Sequence, residues 1–222
     1  MTAQTVALLL ERSKNQYRIC EYRILVLDVQ SKEERISETF NETTIGWCDW
    51  GSVAELRSGE LIAKTFKMRN VHVWKIGEQN ARPLSIPVED FYGGSLSVLE
   101  NVLGKEELIA LAFYSNKSIG LFAIDQSKLD LVRIILLEFS PVSMLWIVSK
   151  QMLFVSDRNY NKKEIFAVRL TRIAAFPDNV TLEGRTNINV LCWCALGHHS
   201  GDEKSVVLFD ANTKHLLNFQ LV

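Results

Sequence analysis

The sequence predicts an all-β fold made by repeating one strand unit around an axis, and three observations carry that reading. The first is an internal repeat: the segment 107–125 (ELIALAFYSNKSIGLFAID) restates in its first half the segment 60–66 (ELIAKTF), 47 residues upstream. In each copy a short apolar run precedes a few polar residues and a second run, 119–124 (IGLFAI) or 71–76 (VHVWKI). Two apolar runs broken by a polar turn are the pattern of an antiparallel strand pair. The second observation is spacing, because comparable runs start at Ile24, Val71, Ile119, Ile165 and Val206, separated by 47, 48, 46 and 41 residues. The third is the scarcity of helical periodicity, together with abundant Val, Ile, Leu and Phe and only four prolines. A unit of this length is too long for ankyrin, tetratricopeptide or leucine-rich repeats and fits a four-stranded blade. The expected architecture is a β-propeller of four-stranded antiparallel blades, about four to five in number, in one domain over residues 1–222.

The elements follow in order. Segments 6–10 and 24–29 (ILVLDV) form the first strand pair. Residues 31–41 are charged and read as an outer loop, and 43–54, with Ile45, Trp47 and Trp50, read as an inner strand before the turn signals Gly51 and Gly59. The second pair is 60–66 with 71–76, followed by 84–86 between Pro83 and Pro87, which confines that piece to an edge or a loop. Residues 91–103, with Gly93 and Gly94, fit either a strand or a turn or two of helix. The third pair is 107–125, running on into 131–139 (LVRIILLEF). The fourth is 142–148 with 151–155, then a polar turn over 156–163 and a strand at 165–170. The fifth is 189–195 with 206–210, ahead of HLLNFQLV. A ring needs blades all the way round, so these units either close a small ring through their ends or form a shortened arc of a larger one; the arc is favoured.

Charge and composition narrow the function classes. With 25 basic and 26 acidic residues the formal net charge is −1, which lacks the field of a dedicated nucleic-acid binder. No run approaches the roughly 18 apolar residues of a membrane span, and the run at 6–10 is too brief for a secretion signal. The expectation is a soluble intracellular protein, nuclear or cytoplasmic, without membrane contact. Cys20, Cys48, Cys192 and Cys194 then read as reduced thiols. The sequons at Asn41, Asn116 and Asn179 carry no weight in that setting.

No phosphate loop, nucleophile elbow, kinase set or zinc-protease motif is present, so the chain is expected to be non-catalytic and to hold no cofactor. Cys192, Cys194, His198 and His199 are the nearest approach to a metal cluster, but their spacing departs from that of zinc fingers and alternation would place both cysteines on one strand face. Trp47, Trp50, Trp74, Trp146 and Trp193 read as core or interblade residues. The segment 157–163 (DRNYNKK), with Arg169 and Arg172 beyond it, is a solvated hairpin turn or a meeting point for phosphate or an acidic partner. As a partner site its candidate residues are Arg158, Lys162, Lys163 and Arg169. A second basic group, Lys64, Lys67 and Arg69, lies beside the second hairpin, and the partner reading gains if both groups share a rim.

Segment 61–76 (LIAKTFKMRNVHVWKI) has the spacing of a degenerate WD repeat, with Trp74 where such repeats place the Trp of their terminal dipeptide. Segments 107–125 and 129–139 (LDLVRIILLEF) resemble late blades of the WD-repeat, non-catalytic subunit of the tRNA guanine-N7 methyltransferase. The resemblance spans about Leu61 to Leu170 and lacks the Gly-His and Asp landmarks of well-formed repeats. It implies a scaffold that makes no bond itself, docks a catalytic subunit along its side and leaves tRNA to that partner. The alternative is a general interaction propeller, such as an adaptor in ubiquitin-ligase or trafficking complexes.

Overall fold

The computed structural model describes residues 5–14, 19–28, 31–37, 40–42, 51–89, 92–125, 127–161, 164–176, 179–188, 194–197, 205–210 and 215–220. They form five antiparallel sheets taken in chain order, the blades of a β-propeller. Blade 1 contains β1 (Thr5–Lys14), β2 (Ile19–Asp28), β3 (Glu34–Ile36) and β4 (Phe40–Glu42). Here β3 and β4 pair successive parts of β2 and so act as one interrupted third strand. Blade 2 is β5 (Gly51–Glu55), β6 (Leu61–Thr65), β7 (Asn70–Trp74) and β8 (Arg82–Ser85), and blade 3 is β9 (Leu96–Val102), β10 (Lys105–Phe113), β11 (Ser118–Asp125) and β12 (Lys128–Leu136). Blade 4 is β13 (Pro141–Ile147), β14 (Met152–Asn161), β15 (Glu164–Phe176) and β16 (Asn179–Ile188). Blade 5 is β17 (Cys194–Gly197), β18 (Ser205–Asp210) and β19 (His215–Gln220). A single 3-10 turn, Val148–Lys150, is the only helix-like element among the described residues, and no helix there is long and apolar enough to cross a membrane.

The first strands β1, β5, β9, β13 and β17 pack against one another in succession and form the inner wall. They begin at Thr5, Gly51, Leu96, Pro141 and Cys194, intervals of 46, 45, 45 and 53 residues. What repeats is therefore the whole blade, with its variation placed in the turns.

Neighbouring blades are joined by apolar clusters, and β10 shows how the sequence makes them. Its residues alternate between two faces. Leu108, Ala110 and Ala112 pack against Met144, Trp146, Leu153 and Val155 of blade 4. Ile109, Leu111 and Phe113 pack against Ile62, Val71, Val73 and Leu84 of blade 2. Both faces are buried, which explains why this strand reads as a continuous apolar run. Between blades 1 and 2 the cluster is Tyr22, Ile24 and Val26 with Leu61, Ala63, Met68 and Trp74. Each fully buried large side chain contributes about 1.5–3 kcal/mol relative to exposure, so these seams hold the assembly together.

Several sequence expectations change. Ile24 and Val206 lie on second strands, β2 and β18, whereas Val71, Ile119 and Ile165 lie on third strands. The spacing matched across two strand classes because both carry apolar runs in this sequence. The charged segment 31–41, read as a loop, supplies β3 and β4, since pairing to β2 satisfies its backbone groups. Residues 156–161, read as a turn, continue β14, where Ser156 pairs with Leu170 and Asn159 with Ala167. The open choice at 91–103 resolves as a strand, β9, and 82–85 is an outer strand carrying Pro83, as its prolines required.

Candidate interaction rim

In successive blades the turns joining second and third strands fall on the same rim of a propeller. The turns at 66–69 and 114–117 are therefore neighbours on one face, and they are in contact. In blade 2 the turn closes with Met68 N–H donating to the Thr65 carbonyl at 3.4 Å; in blade 3 Lys117 N–H donates to the Tyr114 carbonyl at the same distance, with Lys117 at φ 49°.

The connection from β8 to β9 runs across these turns and is bonded to both. Ile86 N–H donates to the Arg69 carbonyl at 3.1 Å, Gly93 N–H to the Phe66 carbonyl at 2.9 Å, and Tyr114 N–H to the Tyr92 carbonyl at 2.7 Å. Glycine is required at 93, because a Cβ there would sit 1.7 Å from the Ala112 carbonyl oxygen. Ser52 fixes the next residues: its Oγ donates to the Gly94 carbonyl at 2.9 Å and accepts from Leu96 N–H at 2.7 Å. Ser95 Oγ accepts from Met144 N–H at 2.9 Å, tying the same loop to blade 4.

This backbone lattice assembles three rings. Phe66 stands 6.2 Å from Tyr92 and 5.8 Å from Tyr114, tilted at 44° and edge-on at 64°. Tyr92 remains 42% exposed, while Phe66 and Tyr114 are half-buried. Arg69 and Lys117 are exposed on the flanking turns and Lys67 is half-buried. Rigid aromatic surface bordered by cations suits a partner that presents apolar and acidic groups. The sequence reading missed this ring cluster; Gly93 and Gly94 directly after Tyr92 were the only signal of a close chain crossing there.

Lys64 does not belong to the rim. It is fully buried, with its ammonium donating to the Thr65 carbonyl. His72 on β7 is 7% exposed, and burial first, then the Lys64 charge, lowers its pKa to about 4. The basic group beside the second hairpin therefore reduces to Lys67 and Arg69. Trp74 ends β7, is buried between blades 1 and 2, and donates through Nε1 to the Glu78 carbonyl at 2.8 Å. Trp146 is buried between blades 3 and 4.

Arg158 lies on β14 opposite Val168, and Arg169 lies on β15 opposite Asp157. These are adjacent rungs of one ladder. Lys162 and Lys163 lie outside the described residues, as do Cys192, His198, His199, Trp47, Trp50 and Trp193; Cys194 opens β17. Among the described residues no group of three or more His, Cys, Asp or Glu could hold a metal ion.

No protein-family model matches the chain, and no curated protein matches it by sequence. Solved structures match it by fold. A protein of Bacteroides uniformis, provisionally assigned as a 6-phosphogluconolactonase, superposes with a TM-score of 0.59 at 11% identity, covering 98% of this chain and 78% of that one. A chain of the mitotic checkpoint complex gives 0.59 at 13% identity, covering 97% and 63%. The WD40 repeats of RRP9 give 0.52 at 13% identity, covering 89% and 58%. The chain thus spans under two thirds of the last two. At these identities the similarity establishes the propeller fold.

Proposed function

We propose that this chain is a non-catalytic interaction scaffold that holds a protein partner against the rim bearing the turns at 66–69 and 114–117. One observation carries the reading: the fixed aromatic cluster of Phe66, Tyr92 and Tyr114, whose most exposed ring is bordered by Arg69 and Lys117. A loop held by three backbone hydrogen bonds loses little conformational freedom on binding, which favours its use as a docking surface. WD40 propellers share the fold and support the class; the fold is equally that of the lactonase-like neighbour, so the rim, not the fold, motivates the proposal.

The finer reading is that the partner is the catalytic subunit of a tRNA guanine-N7 methyltransferase, which this propeller stabilises while tRNA contacts the enzyme. The similarity over Leu61 to Leu170 supports it. Arg158, Lys162, Lys163 and Arg169 are the proposed partner contacts, on the hairpin of blade 4. The test is a binding titration of the purified chain with a purified methyltransferase subunit, beside a variant carrying Tyr92→Ala and Arg69→Glu and a second reversing the four hairpin cations. Loss of about tenfold or more in affinity in both variants supports the reading. Undiminished binding in the hairpin variant removes those four residues; absence of binding to that subunit removes the finer reading and leaves the general adaptor. A partner captured from native extract whose binding ignores Tyr92→Ala and Arg69→Glu refutes the rim itself.

A further inference from the structure

The outer strands of the three central blades occupy equivalent positions, and among the described residues β8, β12 and β16 each pair on one side only. Such an edge can pair with another chain, and proteins blunt it by shortness, proline and charge. β8 is four residues long and contains Arg82 and Pro83. β16 (NVTLEGRTNI) is mostly polar. β12 (KLDLVRIIL) is nine residues long and exposes Leu131 by 42%, Val132 by 38%, Ile134 by 47% and Leu136 by 79%.

The order of its residues is set by a bulge. Leu121 pairs with Arg133 and Phe122 with Leu131, so Val132 is an extra residue on β12. In a regular strand, residues three apart lie on opposite faces. Here the bulge brings Asp130 and Arg133 to the same face, opposite Ala123 and Leu121, which pack toward blade 4. Leu129, Leu131, Ile134 and Leu136 take the other face. Arg133 is exposed and has no ion-pair partner among the described residues. Asp130 meets Lys128 at 2.8 Å with its side chain still 49% exposed.

We infer that β12 is a self-association strand, pairing antiparallel with β12 of a second copy about a two-fold axis at Leu131. In that register Asp130 of each copy stands opposite Arg133 of the other, and Leu129 stands opposite Ile134. Opposite charge and apolar groups thus match on their respective faces, as an isologous contact requires. A partner with an unrelated sequence would gain nothing from that symmetry. Because Val132 interrupts the straight run on both strands, the interface is small and the association is weak, with a dissociation constant expected in the micromolar range. This proposal is independent of the rim and its partner.

Sedimentation velocity of the full chain between about 1 and 300 µM tests it, a range that brackets the expected constant. The wild type is expected to pass from monomer to dimer across the range. Arg133→Asp or Asp130→Arg alone places like charges opposite each other and weakens the dimer by about tenfold or more, while the two together restore it to within about fivefold. Circular dichroism of each variant checks that the fold is kept. A wild type that stays monomeric overturns the inference, as does a dimer that Arg133→Asp leaves intact or that the double exchange fails to rescue.

Discussion

Replacing His72 by glutamine should remove a specific part of the acid sensitivity of this fold. His72 is 7% exposed on β7, beside a wholly buried Lys64, and burial followed by the Lys64 charge lowers its pKa from 6.5 to about 4. Below pH 6.5 the unfolded chain binds a proton that the folded chain refuses until pH nears 4. The neutral imidazole therefore contributes stability that is fully present above pH 6.5 and is lost as pH falls toward 4. A shift of this size gives a loss of about 2 kcal/mol by about pH 5 and of about 3 kcal/mol by about pH 4. That is a large share of the 5–15 kcal/mol typical of folded domains. Urea unfolding of wild type and His72→Gln from about pH 7.5 to pH 5 measures it, because carboxylates titrate alike in both proteins and cancel in the difference. The stability of wild type relative to the variant should fall by about 2 kcal/mol over that range. Parallel curves would refute the reasoning, since they would mean that His72 takes up its proton in the fold as readily as in the unfolded chain.

Three further changes probe the seams and the rim lattice. Trp74→Ala, which empties the cluster between blades 1 and 2, is expected to cost about 3–5 kcal/mol by urea unfolding, against about 1 kcal/mol for the hydrogen-bond loss in Trp74→Phe. Gly93→Ala forces the loop away from the Ala112 carbonyl; hydrogen exchange at the Gly93 and Tyr114 amides should accelerate, and unchanged protection would mean that the backbone yields without cost. Ser52→Ala removes a donor to Gly94 and an acceptor for Leu96 N–H, with an expected loss of about 1–3 kcal/mol and no change in fold by circular dichroism.

What could be read from the sequence follows from which strands the fold buries on both faces. β6, β7, β10 and β11 lie between two neighbouring blades, so each of their faces is apolar and the repeat stands out. Outer strands have fewer neighbours and obey no such rule. β16 is polar enough to pass for a loop, and β3 with β4 falls in a charged stretch for the same reason. In the sequence Lys64 groups with Lys67 and Arg69 because lysine is the least expected residue for a strand buried throughout; the structure buries it, with its ammonium donating to the Thr65 carbonyl. The aromatic cluster escaped notice because its members come from three separate segments, 66, 92 and 114, that meet only when the β8 to β9 connection crosses the turns. A repeat fold writes its core into every unit but its docking surface into the differences between units. For that reason Tyr92 on the rim and the apolar edge of β12, each departing from its counterparts in other blades, are the places where partner chemistry is to be sought.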